Sequence, residues 1–520
     1  MVRRAPSYEP LTPTAFLRRA AVVYGDRPAL IDGALRLTYA ELERRVLALA
    51  GGLAARNRGP GERIAVLATN SAPLLDAHYA VPMAGAVLVP LNHRLAVAEL
   101  VAILDHAGAT LLICDREMES RGREVAAAME EKLEVLIEGD AYEAMAASGA
   151  GFEPLPPEET DLLSLNYTSG TTGSPKGVMY HHRGAYLQAL AMAFHTRLGP
   201  DTRMLWTLPM FHCNGWCFTW AVTAAGGTHV CLRVTDPEAI WEAIEAEAVT
   251  HLNAAPTLLL AIAAAAPRDH GGGRIQIATG GAPPTPTLLA ELEGLGMEVT
   301  HLYGLTETFG PVAICEWRPE WNGLAPARRA VLKARQGVGN VIAGQLRVID
   351  DAGSDVPADG ETIGEVVVRG NDVMLGYYRD EEATEEAFRG GHFHTGDLGV
   401  LHPDGYVELR DRSKDLIVSG GENISSVEVE AALASHPEVY EVAVVPTPDD
   451  RWGERPVAFV VPRPGGDPQA SDLDRHVRER LAGFKAPDLY YVCDELPKTA
   501  TGKVRKFVLR DRAGRPPGLR

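Results

Sequence analysis

Strand and helix patterns that alternate at βαβ spacing predict a multidomain α/β and α+β protein built on covered, largely parallel sheets. Arg63-Ile-Ala-Val-Leu67, the helical run 71–84 and Ala86-Val-Leu-Val-Pro90 give one cycle, and 97–107 with Thr110-Leu-Leu-Ile-Cys114 begins the next. A second observation is that three apolar strand patterns, at 162–167, 274–278 and 299–303, each run into a polar, glycine-containing loop. In open α/β sheets ligands bind outside the carboxyl ends of the strands, so these loops mark the functional edge. The third is a change of texture near Gly337 to Val-rich alternating segments and β-turns, which predicts a small mixed or barrel-like β unit. A large N-terminal domain, 1–411, is therefore expected to contain a β-rich part at 337–411, with a small α+β domain at 415–520 beyond the boundary Asp411-Arg-Ser-Lys414.

Taken in order, residues 12–58 read as two helices around a short hairpin. The hairpin strands are Pro28-Ala-Leu-Ile-Asp32 and Leu35-Arg-Leu37. Thr38-Tyr-Ala-Glu41 has the hydroxyl-x-x-Glu spacing of a capping box, so Thr38 is expected to start a helix running to about Ala50. Residues 115–160 carry a helix, a strand at 133–137 and a linker. After Gly177 a helical pattern occupies 181–194. Strands follow at 203–209, 227–232 and 249–254, with helices at 237–246 and 256–266. Past the boundary, a helix at 427–434 and strands at 440–445 and 455–462 precede a helix at 471–482 and a strand at 489–493.

With 520 residues, 46% of them hydrophobic, the chain fills more than one core. Its formal net charge of -19 argues against nucleic acid or an anionic membrane surface as a partner. No apolar run is long enough for an integral membrane span, and no signal-peptide pattern appears. Six scattered cysteines without paired metal spacing read as reduced thiols, and the expected location is cytoplasmic. Arginine greatly outnumbers lysine, so each lysine carries more information than usual.

The chemistry starts at Tyr167-Thr-Ser-Gly-Thr-Thr-Gly-Ser-Pro-Lys-Gly177, read as a loop between a strand and a helix. Its glycines let backbone N–H groups converge on an anion, its hydroxyls add donors, and Lys176 supplies a mobile point charge. That describes a phosphate cradle, although Pro175 and Gly177 around Lys176 exclude the Walker A order. Glu307, in Tyr303-Gly-Leu-Thr-Glu307, puts a carboxylate in the same crevice, an arrangement that needs a mediating cation. Asp397, in Thr395-Gly-Asp397, can accept from two vicinal hydroxyls at once. Lys503 stands in Pro497-Lys-Thr-Ala-Thr-Gly-Lys503, a small-residue loop presenting one cation. His212, in Met210-Phe-His-Cys-Asn-Gly-Trp216, has no second histidine or aspartate spaced to make a metal or nucleophile site, and nothing near Cys213 would activate its thiol.

These motifs, in this order and over nearly the whole chain, resemble the adenylate-forming (AMP-binding) superfamily, and within it the acyl-CoA synthetases. The resemblance implies an AMP-forming acid–thiol ligase using ATP, Mg2+ and coenzyme A, which adenylates a short-to-medium-chain carboxylic acid and transfers it to CoA. The closest likeness is to short- and medium-chain and 3-(methylthio)propionate ligases. A long-chain ligase, or an adenylation enzyme loading a carrier protein, are the alternatives, and a homodimer is allowed. It further implies that Thr168, Ser169, Gly170, Thr171, Thr172, Gly173 and Lys176 hold phosphate, with Thr168 and Glu307 as the metal pair. Gly280, Gly281, Ala282, His301, Tyr303, Gly304 and Thr306 surround the adenine and acyl group, Tyr303 by stacking, while Asp397 and Arg412 take the ribose. Lys503 stabilises the adenylation transition state, His212 walls the carboxylate end of the acyl pocket, and Trp216 gates its mouth. Ser419, Gly420, Gly421, Glu422, Trp452 and Lys485 hold CoA, where Asp488 departs from the basic residue of some relatives. Lys414, at 412–414, is the hinge between two conformations of the C-terminal domain.

Overall fold

The computed structural model describes residues 8–513 except 57, 149–151, 169–174, 268–273, 283, 413–414, 420–421, 450 and 500–502. Four sheets organise the chain. A six-stranded sheet takes Glu134–Ile137, Ala109–Cys114, Arg63–Leu67, Val87–Pro90, Leu162–Thr168 and Lys176–His181 in that spatial order, parallel except for the last pair. A nine-stranded sheet runs from Val338–Gly339 through Gly310–Ile314, Met297–Leu305, Ile275–Thr279, His251–Ala254, Arg203–Leu205 and Thr228–Val230 to Pro28–Asp32 and Leu35–Thr38. Its central members are parallel, as expected of strands joined by helical crossovers. Helices cover these sheets. The all-buried helix Ala72–Met83 carries Pro82 within it and packs on Tyr39–Ala55.

Thr38 caps the helix Tyr39–Ala55 with both bonds of the capping box: its Oγ1 accepts from Glu41 N at 3.3 Å, and Glu41 Oε2 accepts from Thr38 N at 2.8 Å. The helix continues past Ala50 through Gly51 and Gly52, which pack closely under Phe152 and Met145; a Cβ at Gly52 would stand 2.3 Å from Met145 Cγ. The β-rich segment is a four-stranded antiparallel sheet, Arg347–Ile349, Gly364–Val368, Phe393–Leu401 and Val407–Arg412, with single bridges from Asp355 and Gly337 on its two edge strands. The fourth sheet, Glu422–Ile424, Ile417–Ser419, Gly453–Pro462 and Val439–Asp449 with Leu489–Val492 beside Gly453–Pro462, belongs to the small C-terminal unit and separates two apolar clusters of its own. A helix the sequence did not suggest, Lys506–Ala513, is pinned there by Lys506 Nζ on Glu430 Oε1 at 2.8 Å and by Arg510 on Asp415.

One expectation fails in an informative way. The segment after Thr168 does not lead from a strand into a helix. Lys176–His181 is itself a strand, antiparallel to Leu162–Thr168 with Thr168 opposite Lys176, so the two strands form a hairpin. The helix starts only at His182. Val178 and Tyr180, both fully buried, alternate with Met179, a period-two pattern too short to stand out beside the helix that follows.

Candidate active site

Thr168 and Lys176 face each other across the open end of this hairpin, while Ser169, Gly170, Thr171, Thr172 and Gly173 lie outside the described residues. Glu307 sits in the short 3-10 turn Thr306–Thr308 that ends the long strand Met297–Leu305. The turn is fixed from two sides: Tyr180 Oη donates to Thr306 O at 2.6 Å, and Met374 N donates to Glu307 O at 2.9 Å. Tyr377 Oη donates to Glu307 Oε1 at 2.9 Å, and Lys176 Nζ lies 4.6 Å from the centre of the same phenol ring. Thr306 Oγ1 is 3.5 Å from Cys213 Sγ.

The residues expected at the nucleoside come from two sheets. Tyr303, on the Met297–Leu305 strand, donates its hydroxyl to Asp397 Oδ2 at 2.7 Å, and Asp397 is 3% exposed. Asp397 N in turn donates to Thr395 Oγ1 at 3.0 Å, and Asp397 pairs in register with Arg412. Gly280 follows the neighbouring parallel strand, Ile275–Thr279, whose last residue pairs with His301, and lies against Leu302. A Cβ at Gly280 would stand 2.7 Å from Leu302 O and 3.2 Å from Trp216 Cη2, so glycine is what lets the indole reach this strand end. Gly281 and Ala282 are exposed. His301 is not brought into the crevice: it is 3% exposed and its Nδ1 lies 3.0 Å from Arg335 O, so its ring is taken up by the backbone behind the sheet.

Beside Gly280 lies an unusual piece of backbone. Five consecutive residues, Cys213 to Cys217, have φ between 50° and 64°, a left-handed helical turn in the middle of a core. Such residues other than glycine cost about 1–2 kcal/mol each, and the surroundings must offset that. Asn214, fully buried, donates from Nδ2 to Ser164 Oγ at 3.0 Å and Asn166 Oδ1 at 3.1 Å, both on the strand that leads into the phosphate loop. Gly215 packs on Trp206, where a Cβ would come within 2.5 Å of Cζ3. The turn carries His212 at its start and Trp216, 7% exposed, against Gly280 and Gly310. Burial pushes the Cys213 thiol up to about 12, which removes it as a nucleophile.

Lys503 comes from the other unit. Thr499 N donates to Lys503 O at 2.7 Å, Lys503 N to Thr499 Oγ1 at 3.1 Å, and Arg505 N to Pro497 O at 2.7 Å, a tight hairpin that displays the lysine. Burial, and secondarily the charge of Lys503, lower His212 to about 4. The residues matched to CoA binding are only partly gathered. Ser419 and Asp488 both meet Arg455, which binds the carboxylate through Nη2 at 2.6 Å and Nε at 2.9 Å and Ser419 Oγ through Nη1 at 3.3 Å. Trp452 is 44% exposed under the Arg451 guanidinium, and Lys485 Nζ is bound to Glu428 Oε2 at 2.6 Å. Gly420, Gly421 and Lys414 lie outside the described residues, and Arg412 and Glu422 are described in backbone alone. Tyr377, Asn214 and Arg455 were not singled out by sequence. Gly376-Tyr-Tyr378 was the one available signal for the first of them.

Five histidines are buried and held neutral by desolvation: His78, His182, His212 and His301 at about 4, and His229 at about 3. Each folded value lies below the ordinary 6.5, so between those limits the unfolded chain binds more protons and stability rises with pH. Asp372, raised by burial from 3.8 to about 7, works in the opposite sense, as do Asp76, Asp115 and Glu430, which burial also raises, but the histidines lowered by burial outnumber these carboxyls. The melting temperature should therefore fall as pH drops from about 6.5 toward 4. A flat profile over that interval in a thermal-melt series would contradict the burial of these rings.

A family model described as AMP-binding enzyme matches residues 17–378, and a second, AMP-binding enzyme C-terminal domain, matches 428–503. The chain belongs to the AMP-binding enzyme family. It is 42% identical to a 2-methylpropanoate–CoA ligase of Humulus lupulus over 98% of this chain and 96% of that one. The same identity holds with a peroxisomal acetate/butyrate–CoA ligase of Arabidopsis thaliana, over 98% and 95%. Among solved structures, the anthranilate–CoA ligase bound to anthranoyl-AMP superposes with a TM-score of 0.88 at 25% identity, covering 98% of both chains. This AMP-binding enzyme is an AMP-forming acid–thiol ligase. The cytoplasmic expectation is overturned: that acetate/butyrate ligase and four further relatives, 40–42% identical over 96–98% of this chain, carry peroxisomal in their names. Charge and cysteine count bear on solubility and redox state, and neither encodes an organelle. Among the described residues, no helix is long and apolar enough to cross a membrane.

Proposed function

We propose that this enzyme joins a short aliphatic carboxylic acid, of the size of acetate to butanoate, to coenzyme A through an acyl-adenylate. The observation that carries the size is Trp216, whose indole lies against Gly280 and Gly310 and occupies the volume a longer chain would need. The relatives named for 2-methylpropanoate, acetate and butyrate support the same range. In this reading the acid's carboxylate lies between neutral His212 and Lys503, and its oxygen attacks the α-phosphorus of ATP while the bond to pyrophosphate breaks. Lys503 bridges the charge that develops on both oxygens. Lys176 attends the departing phosphates, Tyr303 the adenine and Asp397 the ribose hydroxyls. Thr168 and Glu307 fit a magnesium ion carried by ATP, because Mg2+ is commonly held by one or two carboxylates with substrate phosphates, and no cluster of three or more ligating side chains occurs among the described residues. When bound, that ion would supply charge neutralisation on the phosphates.

For the second step the C-terminal unit turns about 412–414, withdrawing Lys503 and bringing the segment that carries Ser419 and Glu422 to the site. The CoA sulfur then attacks the acyl carbon and AMP leaves. A panel of acetate, butanoate, 3-(methylthio)propanoate, hexanoate, decanoate, hexadecanoate and benzoate, with CoA or a carrier protein as acceptor, tests the proposal. The highest kcat/KM is expected at butanoate or below with CoA. A maximum at decanoate or beyond, or transfer to the carrier protein alone, would refute it.

A further inference from the structure

One side chain touches both charged groups at the phosphate end, and it comes from neither motif. Tyr377 donates its hydroxyl to Glu307 Oε1 at 2.9 Å and offers its ring face to Lys176 Nζ at 4.6 Å. Its position is set by its own backbone. Leu375 N donates to Met179 O at 3.0 Å, Met179 N to Gly376 O at 3.0 Å and Tyr378 N to Gly177 O at 2.7 Å, so the segment runs as a strap along the strand that carries Lys176. The same strap reaches Glu307 through Met374 N. An ammonium and a carboxylate this near one shared ring would ordinarily pair, yet Lys176 and Glu307 form no ion pair with each other. Burial and the adjacent carboxylate keep the phenol protonated, so it remains a donor.

We propose that Tyr377 is a positioning residue that keeps Lys176 and Glu307 apart, satisfying the ammonium with its π-face and the carboxylate with its hydroxyl. Both charges then stay available, the lysine to nucleotide phosphate and the glutamate to its own ligand. The inference rests on the ligase reading of this site, but its principal test does not depend on which acid is activated. ATP affinity is measured by fluorescence titration in EDTA, which isolates the lysine from any metal. Tyr377→Phe retains the ring face and should bind ATP as the wild type does, with a lower adenylation rate. Tyr377→Leu removes the face and lets Lys176 swing onto Glu307, weakening ATP about tenfold and raising KM for ATP more than it lowers kcat.

Adding Glu307→Gln to Tyr377→Leu should restore most of the ATP affinity, because a neutral amide does not hold the ammonium. A merely structural tyrosine predicts no such recovery. Tyr377→Met, closer in volume, takes the place of the leucine variant if that one melts below the assay temperature. Wild-type affinity in the leucine or methionine variant, or a double variant as weak as the single one, overturns the proposal. Wild-type protein that binds ATP but exchanges pyrophosphate with no acid of the panel refutes the ligase reading and leaves the affinity comparison intact.

Discussion

Replacing Lys503 with Ala lowers the rate of pyrophosphate release by roughly 10²–10³-fold, the loss expected when one preorganised donor to a developing oxyanion is removed. The lysine stands in a hairpin whose backbone is closed by Thr499 and Pro497, and its charge contributes to lowering His212. Alanine leaves that hairpin's backbone bonds in place, so the variant should melt with the wild type. The two chemical steps are expected to separate. Acyl-AMP supplied directly should react with CoA at the wild-type rate, since the thioester step uses the other orientation of the C-terminal unit. Rapid-quench measurement of both steps decides the matter, and equal losses in the two would remove Lys503 from the adenylation step and with it the case for rotation about 412–414.

Trp216→Ala is the second large change, and it acts on selectivity. Vacating the indole beside Gly280 lets longer acids bury further methylenes, each worth about 0.8 kcal/mol, or about fourfold in kcat/KM. The optimum should move upward by at least one methylene step, while acetate loses efficiency because it no longer excludes water from the reacting carboxylate. Stability should also fall by about 3–5 kcal/mol, since Trp216 lies within the main core. The discriminating result is the ratio of kcat/KM among butanoate, hexanoate and decanoate beside a melting curve. Unchanged ratios with an earlier melt would make Trp216 a core residue with no part in choosing the acid.

The sequence exposed the parts of this site whose chemistry is local. Apolar runs ending in Gly-rich polar loops located the strand ends that carry Gly280 and Glu307, and a spacing of three located the cap at Thr38. What it concealed was set by distant contacts. Tyr377 stands 70 residues from Glu307, and only folding brings the strap 374–378 against the Lys176 strand. Lys176–His181 is a strand because Leu162–Thr168 pairs with it, and its own six residues carry too little pattern to overrule the helix behind them. His301 sits in the right motif, but its ring is taken up by the carbonyl of Arg335, a contact 34 residues away that the motif does not reveal. Asp488 looked like a defect in a phosphate-binding surface, and the structure supplies its partner, Arg455, from the adjoining strand.

The left-handed turn filters what can replace Trp216 before size is considered. At φ +56°, β-branched residues are the worst fit and glycine the best. Valine and threonine, the usual intermediates between a large side chain and a small one, are thus closed off by the backbone, whereas glycine relieves strain as it empties the space. Divergence of acyl preference at this position would then proceed in jumps, from an indole to an unbranched chain or to nothing, and a lineage of such enzymes would be expected to show discrete classes of substrate length with few forms between them.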